Sequence, residues 1–93
     1  MSDPSPRVLA YLESHPDWHL VDGHLSRLFK FPTYLEGIDF VVRVGDIAES
    51  LDHHPDMHVG YCQVRLSTIS HDVGELTDRD LNLVDQVDAM MGQ

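Results

Sequence analysis

The sequence predicts an α+β fold, in which a four-stranded antiparallel sheet carries three helices on one face in the order α-β-β-α-β-β-α. Two pairs of strand-like segments are each joined by a short turn, and one of these turns is Asp22-Gly23, a strong hairpin signal. Three segments with helical spacing of apolar residues surround the two pairs. Elements in this order pack most simply as helices against an antiparallel sheet.

The first predicted element is a helix over residues 7–14, which follows a polar, proline-rich tail at residues 1–6 that we expect to be flexible. Ser5 can cap this helix and Pro6 suits its first turn, while Pro16 prevents its continuation. Three apolar residues could form its buried stripe: Val8, Leu9 and Leu12.

The first hairpin is predicted from residues 18–21 and 25–31, with Pro32 closing the second strand. Its second strand alternates, which places four side chains on one face: Leu25, Arg27, Phe29 and Phe31.

Thr33 and Glu36 form a capping-box pattern that opens the longest predicted helix, which runs to about Asp52. Six apolar positions are predicted to face the sheet: Leu35, Ile38, Val41, Val42, Ala48 and Leu51. Phe40 and Val44 would then lie on another side. Either this extra apolar surface pairs subunits, or Phe40 packs under the first helix of its own chain.

A second hairpin is predicted from residues 57–61 and 64–70, with four expected core residues: Val59, Tyr61, Val64 and Leu66. Gly74 marks the next loop, and Thr77 caps a last helix from Asp78 to about Met91. Four side chains of this helix are expected to face inward: Leu81, Val84, Val87 and Met91.

The composition predicts one domain over residues 7–93 and excludes several functions. Sixteen acidic and six basic residues give a formal charge of −10, which disfavours direct binding to nucleic acid. No apolar segment is long enough for a membrane span, and the N-terminus lacks the pattern of a signal peptide. The single cysteine, Cys62, leads us to expect a reducing cytoplasm.

The residues with the clearest chemical potential surround His53-His54-Pro55. Glu49 and His53 are four residues apart and would share a helix face, where a carboxylate can orient an imidazole and fix its tautomer. Pro55 ends the helix, so His54 leaves in a different direction. For this short motif alone, capping of the last helical carbonyls by the two histidines is the simpler interpretation.

The wider pattern is more specific. The spacing Glu-x3-His-His-Pro-x5-Tyr-x9-His-x8-Asp, from Glu49 to Asp80, resembles the signature of the pterin-4a-carbinolamine dehydratases, also called dimerization cofactors of a homeodomain transcription factor. The likeness extends upstream to Trp18 and the Arg27-x-Phe29-x-Phe31 strand, and downstream to residues 76–81. It implies a hydro-lyase that converts 4a-hydroxytetrahydropterin to quinonoid dihydropterin in tetrahydrobiopterin recycling, without a cofactor.

The resemblance also implies a site. Three catalytic residues are expected: His53, His54 and His71. Five residues are expected around the pterin: Glu49, Asp52, Ser70, Asp72 and Asp80. His54 is interpreted as the base at the ring nitrogen, with His53 and His71 as acids, because imidazole exchanges protons near neutral pH. Asp80 either complements the start of the last helix or contacts the site.

The remaining aromatic and histidine residues are expected to be structural or exposed. Trp18 and Tyr61 are interpreted as core residues. Four histidines are expected at the surface without a chemical role: His15, His19, His24 and His58.

Two alternatives stay open at this point. A divalent metal could bind His53, His54, His58 and His71 with Glu49, although adjacent histidines at a helix end diverge. The chain could also be a non-catalytic interaction module that stabilises a partner's dimer. By resemblance, the expected partners are a small pterin substrate and further copies of the chain, as a homodimer or homotetramer.

Overall fold

Both predicted hairpins form, and they join into one antiparallel sheet with the strand order β1-β2-β4-β3. The computed structural model describes residues 4–92. Its elements, in chain order, are α1 (Pro6–Ser14), β1 (His19–Val21), β2 (His24–Lys30), α2 (Tyr34–Leu51), β3 (Asp56–Gly60), β4 (Gln63–Thr68) and α3 (Asp78–Met90). The predicted order and the α+β class are confirmed.

Residues 1–3 of the predicted N-terminal tail lie outside the described residues. Ser5 caps α1 by accepting a hydrogen bond from the Val8 backbone N–H, and Pro6 is the first residue of the helix. Within residues 4–92, no helix is long and apolar enough to cross a membrane.

Two tight turns set the register of the sheet. Val21 pairs with His24 across Asp22-Gly23, whose φ angles of 51° and 80° are both positive, as a two-residue hairpin turn of this twist requires. In the centre of the sheet, β2 pairs with β4 from Leu25 opposite Thr68 to Lys30 opposite Gln63. Strands β1 and β3 are the two edges.

The core lies between one face of the sheet and the helices. The central strands contribute four apolar side chains that are at most 4% exposed: Leu25, Phe29, Val64 and Leu66. Phe29 on β2 contacts Phe40 on α2, with ring centroids 4.6 Å apart. Helix α1 is joined to α3 by the Tyr11 hydroxyl, which donates to Asp85 Oδ1 at 2.7 Å.

Two residues predicted to belong to the buried stripe of α2 are in fact exposed. Leu35 and Val42 are 74% and 59% exposed, whereas the buried residues of the helix are Gly37, Phe40, Val44 and Ala48. Gly37 faces the sheet closely, since a Cβ there would meet Phe31 and Val64 at 3.5 and 3.6 Å. The helix therefore packs through the line that contains this glycine, and Phe40 and Val44 belong to the core.

Three other predicted core residues are exposed: Leu9 (49%), Val59 (42%) and Tyr61 (83%). Val59 lies on the edge strand β3, and Tyr61 lies in the β3–β4 turn, so both are at the periphery of the sheet. The central-strand residues Val64 and Leu66 are both fully buried, as predicted.

A buried polar cluster ties β2 to α3. Asp88 accepts one hydrogen bond from Trp18 Nε1 at 2.9 Å and another from Arg27 Nη1 at 3.0 Å. Trp18 is 2% exposed, in agreement with its predicted core position. The guanidinium of Arg27 also lies 4.4 Å from the centroid of the Phe29 ring. Arg27 therefore makes a cation–π contact with a core aromatic residue in addition to its ion pair with Asp88.

Candidate active site

The end of α2 separates the two adjacent histidines. Asp52 adopts a left-handed conformation (φ 50°, ψ 43°), and the His53 backbone N–H donates to the Ala48 carbonyl at 3.1 Å. This turn directs His53 into the protein, where the residue is 8% exposed, while His54 remains at the surface. The chain then enters β3 after Pro55.

His53 binds a carboxylate from another helix. Its Nε2 lies 2.6 Å from Asp80 Oδ1 and 3.4 Å from the hydroxyl oxygen of Thr68. A carboxylate oxygen can only accept, so Nε2 carries the proton. The neutral imidazole therefore has its lone pair on Nδ1.

Asp80 is fully buried and accepts four hydrogen bonds. His53 Nε2 and the Thr68 hydroxyl donate to Oδ1, both at 2.6 Å, while the Ser70 hydroxyl and the Thr77 backbone N–H donate to Oδ2 at 2.7 and 2.9 Å. Burial by itself raises the pKa of Asp80, but hydrogen bonds from His53, then Thr68, Thr77 and Ser70, hold this pKa below its usual value. The carboxylate is therefore ionised at neutral pH.

The position of Asp80 serves two purposes. It is the third residue of α3, and its bond from the Thr77 backbone N–H completes a capping box with the Thr77 side chain. The two interpretations of Asp80, as a helix-start residue and as a contact of the histidine site, are thus compatible.

His54 has its own carboxylate. Its Nε2 lies 2.6 Å from Glu49 Oε1, and both side chains are largely exposed. The predicted pairing of Glu49 with His53 is wrong, because the left-handed residue Asp52 turns His53 inward and leaves His54 beside the last helical turn.

His71 lies in the loop that follows β4. Ser70 anchors this loop, since its carbonyl accepts from the backbone N–H groups of Val73 and Gly74 and its backbone N–H donates to Glu75. His71 itself is exposed, and its ring centroid lies 6.5 Å from that of His24 on β2.

Asp72 forms an exposed ion pair with Arg79, whose Nη2 donates to Asp72 Oδ1 at 2.8 Å. This hydrogen bond lowers the pKa of Asp72 and raises the pKa of Arg79. Such exposed pairs contribute little to stability.

The structure thus groups the predicted residues unevenly. His53, Asp80 and Ser70 share one buried network, while Glu49 and His54 form a separate exposed pair. Asp52 is exposed at the end of α2.

Sequence reasoning missed Thr68 and the proximity of His24 to His71. Thr68 could have been noticed as a hydroxyl at a core-facing position, two residues after Leu66 on β4.

Residues 4–92 contain no group of three or more His, Cys, Asp or Glu side chains arranged to hold a metal ion. Two surface cavities, of 450 and 710 Å³, are lined by none of the eight predicted site residues. The exposed histidines instead give the candidate site the form of an open surface beside one buried imidazole.

Comparison with known families supports one assignment. The family model described as "Pterin 4 alpha carbinolamine dehydratase" matches residues 4–90, which is nearly the whole chain. The chain belongs to this family. The pterin dehydratase match includes every residue of the His53–Asp80 network and the two exposed histidines predicted for the site, His54 and His71.

Two curated relatives are similar over most of their length. A protein of Picosynechococcus sp. is 39% identical over 83 residues, which cover 89% of this chain and 90% of that protein. A protein of Mycolicibacterium smegmatis is 36% identical over 85 residues, which cover 91% and 90%. Both carry the name "Putative pterin-4-alpha-carbinolamine dehydratase".

Solved structures share the pterin dehydratase fold. A transcriptional coactivator/pterin dehydratase from Brucella melitensis superposes with a TM-score of 0.82 at 23% identity, over 95% of this chain and 97% of that one. A pterin dehydratase-like protein, described as a RuBisCO assembly factor in the alpha-carboxysome, gives a TM-score of 0.66 at 18% identity, over 82% and 88%.

Proposed function

We propose that this family member is an active hydro-lyase, which removes water from 4a-hydroxytetrahydropterin to give quinonoid dihydropterin in tetrahydrobiopterin recycling. The observation that carries the proposal is the pair of adjacent histidines, each hydrogen-bonded at Nε2 to a carboxylate at 2.6 Å. Two oriented imidazoles, whose Nδ1 atoms have no hydrogen-bond partner among residues 4–92, are suited to proton transfer near neutral pH.

The reaction needs one proton delivered and one removed. The bond between C4a and the hydroxyl oxygen breaks, and a protonated imidazole supplies the proton that lets the oxygen leave as water. A second imidazole takes the proton from the neighbouring ring nitrogen, whose electron pair then forms the new C=N bond. The electrons balance without a redox partner, so we propose that no cofactor takes part.

We assign His54 as the base and His53 and His71 as the acids. Glu49 then orients His54, and Asp80 orients His53. Ser70 and Asp80 are both fully buried, so we assign them to the network behind His53 rather than to contact with the pterin. Asp52 and Asp72 are the exposed carboxylates that would line the pterin site.

A direct assay tests the proposal. The purified protein is mixed with synthetic 4a-hydroxytetrahydropterin, and formation of the quinonoid product is followed against the spontaneous dehydration, with and without a chelator. We expect acceleration that survives chelation. A rate no faster than the spontaneous one would contradict the proposed function, and a loss of activity restored by zinc would favour the metal-site alternative.

The alternative function is a non-catalytic interaction module. It draws support from the structural relative described as a RuBisCO assembly factor, although the likeness to that protein concerns the fold. The assay above separates the two, since an interaction module has no need to accelerate dehydration.

We also propose that the chain forms a homo-oligomer in the cytoplasm, with a dimer as the minimum. The two sheet edges, β1 and β3, are unpaired within the described chain, and edges invite pairing with another copy. Helix α2 exposes Leu35 and Val42, two turns apart, with the half-buried Ile38 between them. These residues, and not Phe40 and Val44, are therefore the candidate contact surface of the helix.

A further inference from the structure

Thr68 is a polar residue at an apolar position. It is the last residue of β4, it pairs with Leu25, and it is 1% exposed. The two preceding residues on the same face of the strand, Val64 and Leu66, are both fully buried and apolar. A hydroxyl buried at such a position destabilises a protein unless it is hydrogen-bonded, so its contacts need an explanation.

Within residues 4–92, the side-chain hydroxyl of Thr68 contacts the two members of the His53–Asp80 pair. Its hydroxyl donates to Asp80 Oδ1 at 2.6 Å, and its oxygen lies 3.4 Å from His53 Nε2. A hydroxyl has one hydrogen, which here goes to Asp80 Oδ1, and the Nε2–H of His53 goes to the same oxygen. The Thr68 hydroxyl and the Nε2–H of His53 therefore lie side by side and converge on one carboxylate oxygen.

This arrangement decides which nitrogen of His53 can react. Nε2 is occupied by Asp80, and Nδ1 has no hydrogen-bond partner among residues 4–92. No buried side-chain nitrogen or oxygen in that part of the chain lacks a partner, so Nδ1 reaches the surface. Nδ1 is thus the atom available to a bound substrate.

We infer that Thr68 is a positioning residue for the proposed reaction, because its hydroxyl fixes Asp80 Oδ1, the oxygen that accepts the Nε2–H of His53, and so holds the imidazole in the geometry that presents Nδ1 to the pterin. The inference rests on the proposed function for its kinetic part. With Thr68 in place, Asp80 has a donor for each of its four lone-pair directions. Without the hydroxyl, His53 is the one remaining donor to Oδ1 within residues 4–92, so the oxygen that holds the imidazole is fixed less firmly, although Ser70 and the Thr77 N–H still hold Oδ2.

Thr68→Val tests this inference, since valine fills nearly the same volume and removes only the hydroxyl. We expect kcat to fall by about 10- to 100-fold, as when the outer hydrogen-bond partner of a metal-binding histidine is removed. KM should stay within about twofold of the wild-type value, because Thr68 does not touch the substrate and its loss should not weaken substrate binding. Thr68→Ser, which keeps the hydroxyl, should recover most of the loss.

A spectroscopic measurement separates positioning from a merely structural role. The ¹⁵N chemical shifts of the His53 ring, at mildly alkaline pH, should report one well-defined Nε2–H signal in the wild-type protein. In Thr68→Val, Asp80 still keeps the proton on Nε2, so we expect the same tautomer with a shifted and broadened Nε2–H signal, because the ring is held less firmly. Ser67→Ala is the matched control, because Ser67 is the neighbouring residue on β4 and its hydroxyl donates instead to Ser26 at 3.0 Å on the opposite face. It should change neither kcat nor the Nε2–H signal of His53.

A Thr68→Val protein with wild-type kcat and an unchanged Nε2–H signal would overturn the inference, as would an equal loss of kcat in Ser67→Ala. If the wild-type protein shows no dehydratase activity, the proposed function fails, but the ¹⁵N measurement still decides whether Thr68 positions His53. The two failures are therefore distinguishable.

Discussion

At the scale of single residues, the site depends on how Asp80 stays ionised inside the protein. A buried carboxylate is unfavourable unless donors surround it, and here four donors do so. One of them is His53, so the same bonds that stabilise the charge also fix the imidazole. His54 lacks such protection, since its partner Glu49 is exposed to solvent. Each of the two neighbouring histidines therefore pairs with a carboxylate, but the pair of His53 is buried and the pair of His54 is exposed.

Removal of the histidines should lower turnover. His54→Ala and His71→Ala should each decrease kcat by about 10²- to 10⁴-fold, the usual contribution of a general acid or base, with little effect on folding because both residues are exposed. His53→Ala should lower both kcat and stability, because it leaves Asp80 without one of its donors. Steady-state kinetics and thermal unfolding provide the measurements. Near-normal turnover in all three variants would rule out the proposed mechanism.

The pKa of Asp80 predicts how stability depends on pH. Because this pKa is lowered in the folded state, the carboxylate stabilises the protein above its unfolded value of about 3.9 and loses that contribution as the pH falls toward the folded value. Asp80→Asn should therefore be about 3 kcal/mol less stable than the wild type at pH near 7, with a gap that narrows below about pH 4. Urea unfolding at both pH values measures this.

Asp78→Asn is the control for that experiment. Asp78 is in the same first turn of α3, but it is exposed and pairs with Arg7 at 3.1 Å. We expect only a small change in its unfolding free energy, since exposed ion pairs contribute about 0–1 kcal/mol. A gap for Asp80→Asn that is the same at neutral and acidic pH would contradict the role of its charge.

At the scale of elements, helix α3 connects the site to the rest of the fold. Its first turn carries Asp80, which holds His53, and its last turns carry Asp88, which binds Trp18 and Arg27. These two buried carboxylates interrupt an otherwise apolar face that includes Leu81, Val84 and Val87. The helix is therefore fixed against the sheet by hydrogen bonds at both ends as well as by packing.

Asp88→Ala tests this attachment. The substitution removes the carboxylate that lies 3.0 Å from Nη1 of Arg27, a side chain that is only 11% exposed. We expect the free energy of unfolding to fall by about 3 kcal/mol, at the low end for a broken buried pair, because Asp17 remains 3.6 Å from Arg27. Asp85→Ala on the same helix, which removes only an exposed acceptor of the Tyr11 hydroxyl, should lose about 1 kcal/mol or less. Equal decreases in the free energy of unfolding for the two variants would contradict the conclusion that the buried Asp88 cluster fixes α3 to the sheet.

At the scale of the whole molecule, a domain of 93 residues gains stability when copies share apolar surface. The exposed residues of α2 and the open edges of the sheet are the surfaces that association would cover. The excess of acidic residues opposes association at low salt, because like-charged copies repel one another. Association should therefore be most favourable through apolar surfaces that bring few acidic side chains of the two copies together.

Sedimentation at micromolar concentration should give a species larger than 10.6 kDa. Val42→Glu should reduce the assembly state, because it places a charge on the apolar line of α2. Leu9→Glu is the control, since Leu9 is also exposed but lies on α1. A wild-type protein that sediments only as the monomer would refute the homo-oligomer, and an equal effect of the two substitutions would exclude α2 as the contact.

Much of the fold could be predicted from local sequence. Asp22-Gly23 adopts the positive φ angles that its residue types favour, and Ser5, Thr33 and Thr77 each cap the predicted helix. Such signals depend on the conformational preferences of a few adjacent residues, so they need no knowledge of the remaining chain. The spacing of His53, His54, His71 and Asp80 likewise led directly to the family.

Tertiary structure decided the rest. Helix α2 is apolar on more than one side, and only its packing on the sheet determined that Phe40 and Val44 are buried while Leu35 and Val42 are exposed. The pairing of His53 with Asp80 joins residues 27 positions apart, and the left-handed turn at Asp52 gave Glu49 to His54 instead. Contacts between distant residues depend on how elements are oriented in space, and periodicity along a single helix does not specify that orientation.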